Sequence, residues 1–355
     1  MDLKELLLSD FPLVSDQEWK EKVVKDLRGK EFDDTLIWKD ENGINHKPYY
    51  RKSDIEKIEN LESIQVSQRN DKDWEILESK PLITDPLTNA VKTNLANGLD
   101  LTGNSKLDFT IYKTKGASIL TELSLALHHV LEYVDAKTSE GNNPDKVFKE
   151  LEYHFAFGNS YFLEIAKGRA FRFLISKLQS VYKVKSHSII IGHGSQYYLA
   201  DKDAHTNLLR TTTQAMSAVL GGCNSVFIPA FDEFGNKCEL GKRMARNIQL
   251  ILKEESYFGN VIDAASGSYY IESLTNELCI KAWDLFVEIE EEGGLIAILN
   301  SGKLKRLLIK DREARIKTYD SEGRVLLGVN KFKNGNGVDL NVSSDVELLA
   351  REVKS

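Results

Sequence analysis

The sequence is poor in the residues that mark secreted, membrane-spanning and metal-binding proteins. Its three cysteines, Cys223, Cys238 and Cys279, are widely spaced and form no C-x-x-C pair, so we predict no disulfide framework and no metal site. No stretch approaches roughly 18 consecutive apolar residues, and Asp2 and Glu5 stand where a signal peptide would be basic. We therefore expect a cytoplasmic protein that neither spans a membrane nor is secreted.

An excess of charge of one sign is also missing. The 355 residues include 47 basic and 54 acidic side chains, and the resulting net charge of −7 is spread along the chain. Such a chain offers nucleic acid or an anionic membrane little to bind, so neither is expected as a partner. Because 41% of the residues are apolar, the chain is long enough to bury one large core or two small ones.

Motifs that would name a reaction are absent or incomplete. The sequence holds no G-x-S-x-G elbow and no H-E-x-x-H. Residues 191–195, I-G-H-G-S, follow a predicted strand and either offer backbone N–H groups to a phosphate or form an ordinary βα loop. Asp203-Ala204-His205 is either the D-x-H of a cobalamin-ligating motif, whose glycine is Leu208 here, or a helix start beside an exposed histidine.

The first 73 residues read as segments without a core of their own. Ser15 and Glu18 form a capping box that opens a helix, residues 35–38 are typical of a short strand, and Asn42-Gly43 is typical of a turn. Because residues 1–50 contain too few apolar side chains for a core, we expect an arm that lies on another surface. Residues 51–73 are mostly charged and polar and are interpreted as a connector.

From residue 74 onward the pattern is strand then helix, repeated. Four such units are predicted, or five if residues 76–83 contribute a strand, and a helix is predicted to start at Asp85-Pro86. The four predicted strands cover residues 107–111, 153–157, 188–191 and 225–228. Alternating units indicate a parallel sheet covered by helices, so the fold class is α/β. Helices over about 273–292 and 303–319 complete a domain spanning 74–334, and residues 335–355 are expected to be a flexible tail.

Seven stretches, in order, resemble the methylmalonyl-CoA mutase family and within it the small, non-catalytic chain. They are residues 18–30, Tyr112 with Gly116-Ala117, and residues 161–170, 210–216, 246–250, 261–272 and 327–331. The resemblance implies a TIM-type (β/α)₈ barrel preceded by an extended arm that embraces a partner chain. It further implies a radical rearrangement between methylmalonyl-CoA and succinyl-CoA, with adenosylcobalamin carried by the large, catalytic chain of a heterodimer. No cofactor is expected to bind to this chain alone.

By this resemblance, most of the family's functional residues are replaced by other residues in this chain. The catalytic Tyr-His pair of the family corresponds to Tyr112-Lys113 here. The polar Gln and His of its T-Q-S-L-H strand correspond to Asn224 and Phe227. The resemblance therefore leaves Tyr112 as a vestigial substrate-binding candidate and Asn224 as a vestigial cofactor-binding candidate. No catalytic residue is predicted.

Two further positions keep the family's residue type. Arg169 matches an arginine of the K-x-R helix and is a vestigial substrate-binding candidate, and Glu255 matches a cofactor-side glutamate and is a vestigial cofactor-binding candidate. Each has a structural alternative. The family match also passes from the helix ending near Gly98 to Tyr112 across a short interval in which the family places several β/α units. We infer an internal deletion and hence a shortened or incomplete barrel, whose free strand edges must be covered.

The leading hypothesis is an interaction protein, a shortened small chain that supports a catalytic large chain. The first alternative is a chain that still binds CoA esters or retains residual isomerase activity, against which the loss of the Tyr-His pair counts. The second alternative is a degenerate fragment with no independent role. Association with a large chain, saturable binding of CoA esters and cooperative unfolding would distinguish the three hypotheses.

Overall fold

The structure is a computed structural model. It describes residues 14–68, 73–94, 99, 101, 105–235, 238–321, 323–335 and 337–353. The chain forms two compact units, residues 1–50 and residues 51–355. In the part of the chain described, no helix is both long enough and apolar enough to cross a bilayer.

The elements are numbered in chain order. The helices are α1 (Asp16–Asp26), α2 (Phe32–Leu36), α3 (Lys52–Ile55), α4 (Leu61–Val66), α5 (Pro86–Thr93), α6 (Thr110–Thr114), α7 (Ile119–Ser139), α8 (Pro144–Glu150), α9 (Tyr161–Val181), α10 (Thr206–Leu220), α11 (Glu239–Leu250), α12 (Tyr269–Glu291), α13 (Gly294–Asn300), α14 (Lys303–Asp320) and α15 (Leu349–Glu352). The strands are β1 (Trp38–Lys39), β2 (Asn45–His46), β3 (Glu75–Leu77), β4 (Lys106–Asp108), β5 (Glu152–Phe157), β6 (Ile189–Gly194) and β7 (Ser225–Phe227).

The N-terminal unit is built from local hydrogen bonds. The capping box at the start of α1 is confirmed, because the Ser15 hydroxyl accepts from the Glu18 N–H and the Glu18 carboxylate accepts from the Ser15 N–H. The expected turn at Asn42-Gly43 is also confirmed, since it joins antiparallel β1 and β2, and Gly43 takes the positive φ of 70°. The expected strand over residues 35–38 is wrong in part: helix α2 runs through Leu36 and only Trp38 enters a strand.

A five-stranded parallel sheet forms the centre of the second unit, as the α/β prediction requires. The strand order is β3-β7-β6-β5-β4, and every neighbouring pair is parallel. Helix α10 contacts β5, β6 and β7, helix α9 packs on β5 through Phe171, and helices α7, α9 and α12 pack on one another. The sheet therefore has the layered arrangement of a TIM-type (β/α) fold.

The strand order is that of a barrel with units removed. Strands β4 to β7 lie side by side in chain order, while β3, which comes first in the chain, lies beyond β7. In a closed ring the first and last strands are neighbours, so this order places the opening between β3 and β4. Residues 78–105 join these two strands and are too few for several β/α units of about 30 residues each. The opening lies where the sequence predicts the deletion.

Side chains from α5 cover the outer edge of β4 where a neighbouring strand would otherwise pair. The Asp85 carboxylate accepts a hydrogen bond from the Asp108 N–H at 2.7 Å, and the Thr88 hydroxyl donates to the Asp108 carbonyl oxygen at 2.7 Å. Both side chains are buried. The backbone polar groups of Asp108 are therefore satisfied at the open edge without another strand, which removes the cost of leaving them unpaired.

Two segments are more ordered than their composition suggests. Residues 51–68, interpreted as a connector, form α3 and α4, which contact α12 and α9, and Ile64 is fully buried. Part of the segment expected to be a flexible tail is also packed against the rest of the protein, because Leu349 and Val353 lie in a buried cluster with Tyr197 and Tyr198. A few well-placed apolar side chains fix each segment even though most of its residues are polar.

We predict that Asp85→Ala lowers the free energy of unfolding by about 3–5 kcal/mol, because it removes a helix cap, the β4 edge contact and the partner of a buried histidine. Asn143→Ala is the matched control, since Asn143 also caps a helix that begins with proline. Its loss should cost only about 1 kcal/mol. Urea unfolding of both variants measures the difference, and equal losses would show that the edge contact contributes nothing.

Candidate functional site

Functional residues of (β/α) barrels come from the carboxyl ends of the strands and the loops that follow them. In this chain that region contains α6 after β4, the start of α9 after β5, and the 3₁₀ turn Gln196–Tyr198 after β6. Tyr112 and Lys113, which the sequence resemblance aligns with the family's Tyr-His pair, lie on α6. A functional site is therefore expected at this end of the sheet.

Tyr112 is fully buried, and its hydroxyl is engaged within the protein. It lies 3.1 Å from Nδ1 of His129, whose Nε2 lies 3.2 Å from the Asp85 carboxylate. Burial, with the charges of Asp85 and Asp108, raises the pKa of Tyr112 well above its usual value, so the phenol keeps its proton. The pKa of Asp85, which burial alone would raise, is instead lowered to about 2 by His129 and by the donors it accepts from. The three side chains form a buried hydrogen-bonded relay that fixes Tyr112 in place.

Lys113 enters a cluster of four buried charged side chains, here called the ionic tetrad: Lys113, Glu122, Glu164 and Lys167. All four are almost completely inaccessible to solvent. Lys113 Nζ lies 2.7 Å from Glu164 and 3.3 Å from Glu122, and Lys167 Nζ lies 2.7 Å from Glu164 and 3.1 Å from Glu122. Each ammonium therefore contacts both carboxylates.

The tetrad is electrically balanced. Burial by itself would lower the pKa of Lys113, but Glu122 and Glu164 raise it above its usual value. Burial would likewise raise the pKa of Glu164, and the two lysines lower it instead. Lys113 and Glu164 thus stay charged in the core, where unpaired charges would be very costly.

The tetrad fills the carboxyl end of β5. Lys167 also donates to the carbonyl oxygen of Ala156 at 2.5 Å, and its ammonium lies 4.6 Å from the Phe157 ring centroid. A Cβ at Gly158, the residue after the strand, would come within 3.0 Å of both Glu164 and Lys113 and still closer to Tyr198. Only glycine fits there, so the space around Tyr112 and Lys113 at this end of β5 is tightly packed with the protein's own side chains.

The C-terminal segment, residues 338–353, covers the same end of the sheet. Glu352 accepts from the Tyr197 hydroxyl and the Arg312 Nε at 2.9 Å each, and Glu347 pairs with Lys115 at 2.8 Å. Leu349 is buried beside Tyr197. These contacts join α6, the turn after β6 and α14 to the segment.

Arg169, a substrate-binding candidate, is also buried and serves the packing of α12. Its guanidinium pairs with Glu272 at 2.8 Å and with Asp263. The other oxygen of Glu272 accepts from the Gly267 N–H and the Gln65 amide at 2.9 Å each. Arg169 therefore holds the loop before α12 and helix α4 against α9, in agreement with the structural alternative.

The two cofactor-binding candidates lie apart from these groups. Asn224 precedes β7, at the amino end of the sheet, and its Oδ1 accepts from Arg172 at 2.7 Å and from the Ile190 N–H at 3.0 Å. Glu255 lies in the π-helical turn that follows α11, with its side chain exposed. The hydrogen-bond partners of Tyr112, Arg169 and Asn224 do not overlap, so the structure does not bring the predicted residues into one site.

The remaining sequence motifs are structural. Residues 191–194 belong to β6, so their backbone groups belong to the sheet and form no phosphate loop. Asp203 accepts from the Thr206 hydroxyl beside the start of α10, and the exposed His205 ring packs 5.0 Å from Phe231. This arrangement, like that of Asn224 and Glu255, does not fit a corrin ligand.

Sequence reasoning missed Glu122, Glu164, Lys167 and His129, which surround the Tyr112-Lys113 pair. One signal was available, because the helix Y-F-L-E-I-A-K-G-R-A-F carries Glu164 and Lys167 three residues apart in an apolar stretch. Charged residues are rarely buried unless they are paired. Their partners, however, lie more than 40 residues away in the chain and leave no local pattern.

We predict that Lys113→Met lowers the free energy of unfolding by about 3–5 kcal/mol, because it leaves two buried carboxylates with a single ammonium. Lys115→Met is the matched control on the same turn, where a half-buried pair with Glu347 should cost no more than about 1 kcal/mol. Urea unfolding at neutral pH measures both. A loss for Lys113→Met no larger than that of the control would contradict a balanced tetrad.

Comparison with known proteins shows which family this sequence resembles. Residues 109–353 match the sequence model of the family described as methylmalonyl-CoA mutase, and the match begins just after the predicted deletion. The chain is 26% identical to a methylmalonyl-CoA mutase small subunit of Porphyromonas gingivalis, over 93% of this chain and 72% of that one. This alignment runs over 442 positions, more than the 355 residues here, so it opens gaps in this sequence.

Longer members match over a smaller part of their length. A methylmalonyl-CoA mutase of Rhizobium meliloti is 38% identical over 67% of this chain and 35% of its own. A methylmalonyl-CoA mutase large subunit of Porphyromonas gingivalis is 36% identical over 61% of this chain and 31% of its own. The chain thus spans about a third of the length of these two relatives. Because the family model matches well over half of the chain, this protein belongs to the methylmalonyl-CoA mutase family.

Proposed function

We propose that this chain is a non-catalytic small subunit that supports a catalytic large chain of methylmalonyl-CoA mutase. The observation that carries the proposal is the ionic tetrad. Lys113 stands where the family has the histidine of its reactive pair, and it is bound into a balanced cluster with Glu122, Glu164 and Lys167. Radical chemistry needs a sealed cavity lined by preorganised groups, whereas this position is occupied by the protein itself.

Two further features support the absence of catalysis. The Tyr112 hydroxyl is held by His129 and has a raised pKa, so it is neither free to meet a substrate nor ready to lose its proton. The sheet also keeps five strands, so the barrel axis along which the family is expected to hold the CoA ester is not enclosed by a full ring in the described residues. In this proposal the isomerisation of methylmalonyl-CoA and succinyl-CoA, and the adenosylcobalamin, belong to the large chain.

The partner is inferred from the relatives and from the N-terminal unit. Small and large mutase subunits both occur in Porphyromonas gingivalis, and this chain is similar to each. The described part of residues 1–50 shows exposed apolar side chains, with Trp38 56% and Val24 42% accessible. Exposed aromatic and apolar residues are common anchors of protein interfaces. We propose that this unit is the arm that contacts the large chain in a heterodimer.

Copurification tests the partnership. The tagged full chain, coexpressed with the mutase large chain of the same organism, should elute as a one-to-one complex whose mass is measured by light scattering. Trp38→Ser should weaken the complex about tenfold or more, because it removes an aromatic anchor. Leu82→Ser is the matched control, since Leu82 is 89% exposed but lies outside the arm. Failure of the unmodified chains to associate at micromolar concentration would defeat the proposed partnership.

Activity of the complex tests whether catalysis belongs to the large chain alone. Tyr112→Phe in this chain should change kcat of the complex less than about twofold, because an uninvolved residue makes no contact in the transition state. Unfolding of the isolated variant checks that it retains its fold after losing one hydrogen bond to His129. A fall in kcat of about tenfold or more in a folded variant would instead assign Tyr112 to the reaction. Saturable binding of a CoA ester to this chain alone would favour the ligand-binding alternative.

A further inference from the structure

Two buried histidines on neighbouring strands contact each other away from the tetrad. His154 on β5 and His193 on β6 are 1% and 3% exposed, and Nδ1 of His154 lies 2.9 Å from Nε2 of His193. A separation of 2.9 Å between two imidazole nitrogens requires one shared proton between them. The two rings therefore form one hydrogen-bonded pair, here called the histidine dyad.

The dyad lies on the face of the sheet opposite helix α9. Tyr153 and Phe155 of β5 pack against Phe171 of α9, with ring centroids 5.2 and 4.6 Å apart. Successive side chains of a strand point to opposite faces, so His154 points away from α9. His193 is in register with Ala156 and shares that face. This is the inner face, which would line the axis of a complete barrel.

The outer nitrogens of the dyad differ in their surroundings. Nε2 of His154 faces the Glu152 carboxylate at 3.5 Å. Neither that nitrogen nor Nδ1 of His193, both of which are buried, has a hydrogen-bond partner among the described residues. A proton on Nε2 of His154 points at the carboxylate, which leaves Nδ1 of that ring to accept from Nε2–H of His193. Nδ1 of His193 is then a bare acceptor.

The charges around the dyad favour His154 as the site of any added proton. Lys106 and Asp108 on β4 and Glu152 on β5 surround His154, and Lys106 pairs with Glu152 at 3.2 Å. Burial lowers the pKa of His154, while Asp108 and Glu152 oppose that effect. The pKa of His193 is lowered further, by burial, by His154 and by Lys80. A positive charge is therefore better placed on His154 than on His193.

We propose that the dyad is a proton-driven polarity switch on the inner face of the sheet. At neutral pH Nδ1 of His193 accepts a hydrogen bond from a neutral donor, such as a hydroxyl group, an amide N–H or water. When one proton binds to Nδ1 of His193, the shared proton moves from Nε2 of His193 to Nδ1 of His154. The positive charge then rests on His154, between Asp108 and Glu152, and Nδ1 of His193 becomes a donor suited to a carbonyl or carboxylate oxygen.

This inference is independent of the proposed function, because it depends only on the inner-face groups of β4, β5 and β6 and on Lys80. It does not require a partner chain or a CoA ester. It assigns to His193 a hydrogen-bonding role that changes sign with one proton, while the positive charge rests on His154 rather than on His193 itself.

Nitrogen NMR of the full chain labelled with ¹⁵N-histidine tests the switch without any substitution. At pH 8 both rings should be neutral Nε2–H tautomers. On acidification a single proton uptake, beginning below the usual histidine pKa of about 6.5, should convert His154 to imidazolium and His193 to the Nδ1–H tautomer together. Two independent titrations, a charge that rests on His193, or no uptake before unfolding would each overturn the proposal.

A charge variant provides the second test. Glu152→Gln should weaken proton binding to the dyad about fivefold, because it removes one of the two carboxylates that favour a charged His154. Glu150→Gln is the matched control two residues away, where the carboxylate contacts Lys146 instead. The tautomers at pH 8 should be unchanged in both variants. Equal proton affinities in the two variants would contradict the assigned location of the charge.

Discussion

The carboxylate of Asp85 holds the open end of this sheet together. It caps α5 through the N–H groups of Leu87 and Thr88, accepts from the backbone of Asp108 on β4, and pairs with His129, which in turn holds Tyr112. A parallel sheet that has lost strands leaves an edge of unpaired backbone groups. One buried side chain on the connecting helix satisfies part of that edge and links it to the next β/α unit.

The ionic tetrad joins three helices through charges that are buried and paired. Two lysines and two glutamates from α6, α7 and α9 meet at the carboxyl end of β5, where each charge has two partners of opposite sign. A buried ion pair contributes little to net stability, but removing one member leaves a charge uncompensated. The cluster therefore constrains the sequence at four positions at once.

The two faces of β5 differ in chemistry. Toward α9 the strand presents aromatic rings and the tetrad, which is closed to solvent and fully paired. On the opposite face His154 and His193 share one proton, and their two outer nitrogens have no hydrogen-bond partner among the described residues. The outer face thus contains paired charges, whereas the inner face retains two histidines whose pKa values burial lowers, so that they are neutral at physiological pH.

The sequence by itself determined the features that a few neighbouring residues encode. The capping box at Ser15, the helix start at Asp85-Pro86, the alternation of strands with helices and the interval too short for the missing units could all be recognised from spacing and residue type. The family followed from seven short stretches in a fixed order. Each of these signals lies within a few residues of chain, where hydrogen-bond geometry and side-chain periodicity are local.

Only the tertiary structure decided which charged residues meet and which surfaces they close. Glu122 and Lys167 are 45 residues apart, His154 and His193 are 39 apart, and Tyr197 and Glu352 are 155 apart, yet each pair is in contact. The polar composition of residues 51–68 and 338–353 likewise concealed that Ile64 and Leu349 are buried. Burial and charge pairing depend on how distant segments pack, and a single sequence carries no local record of that packing.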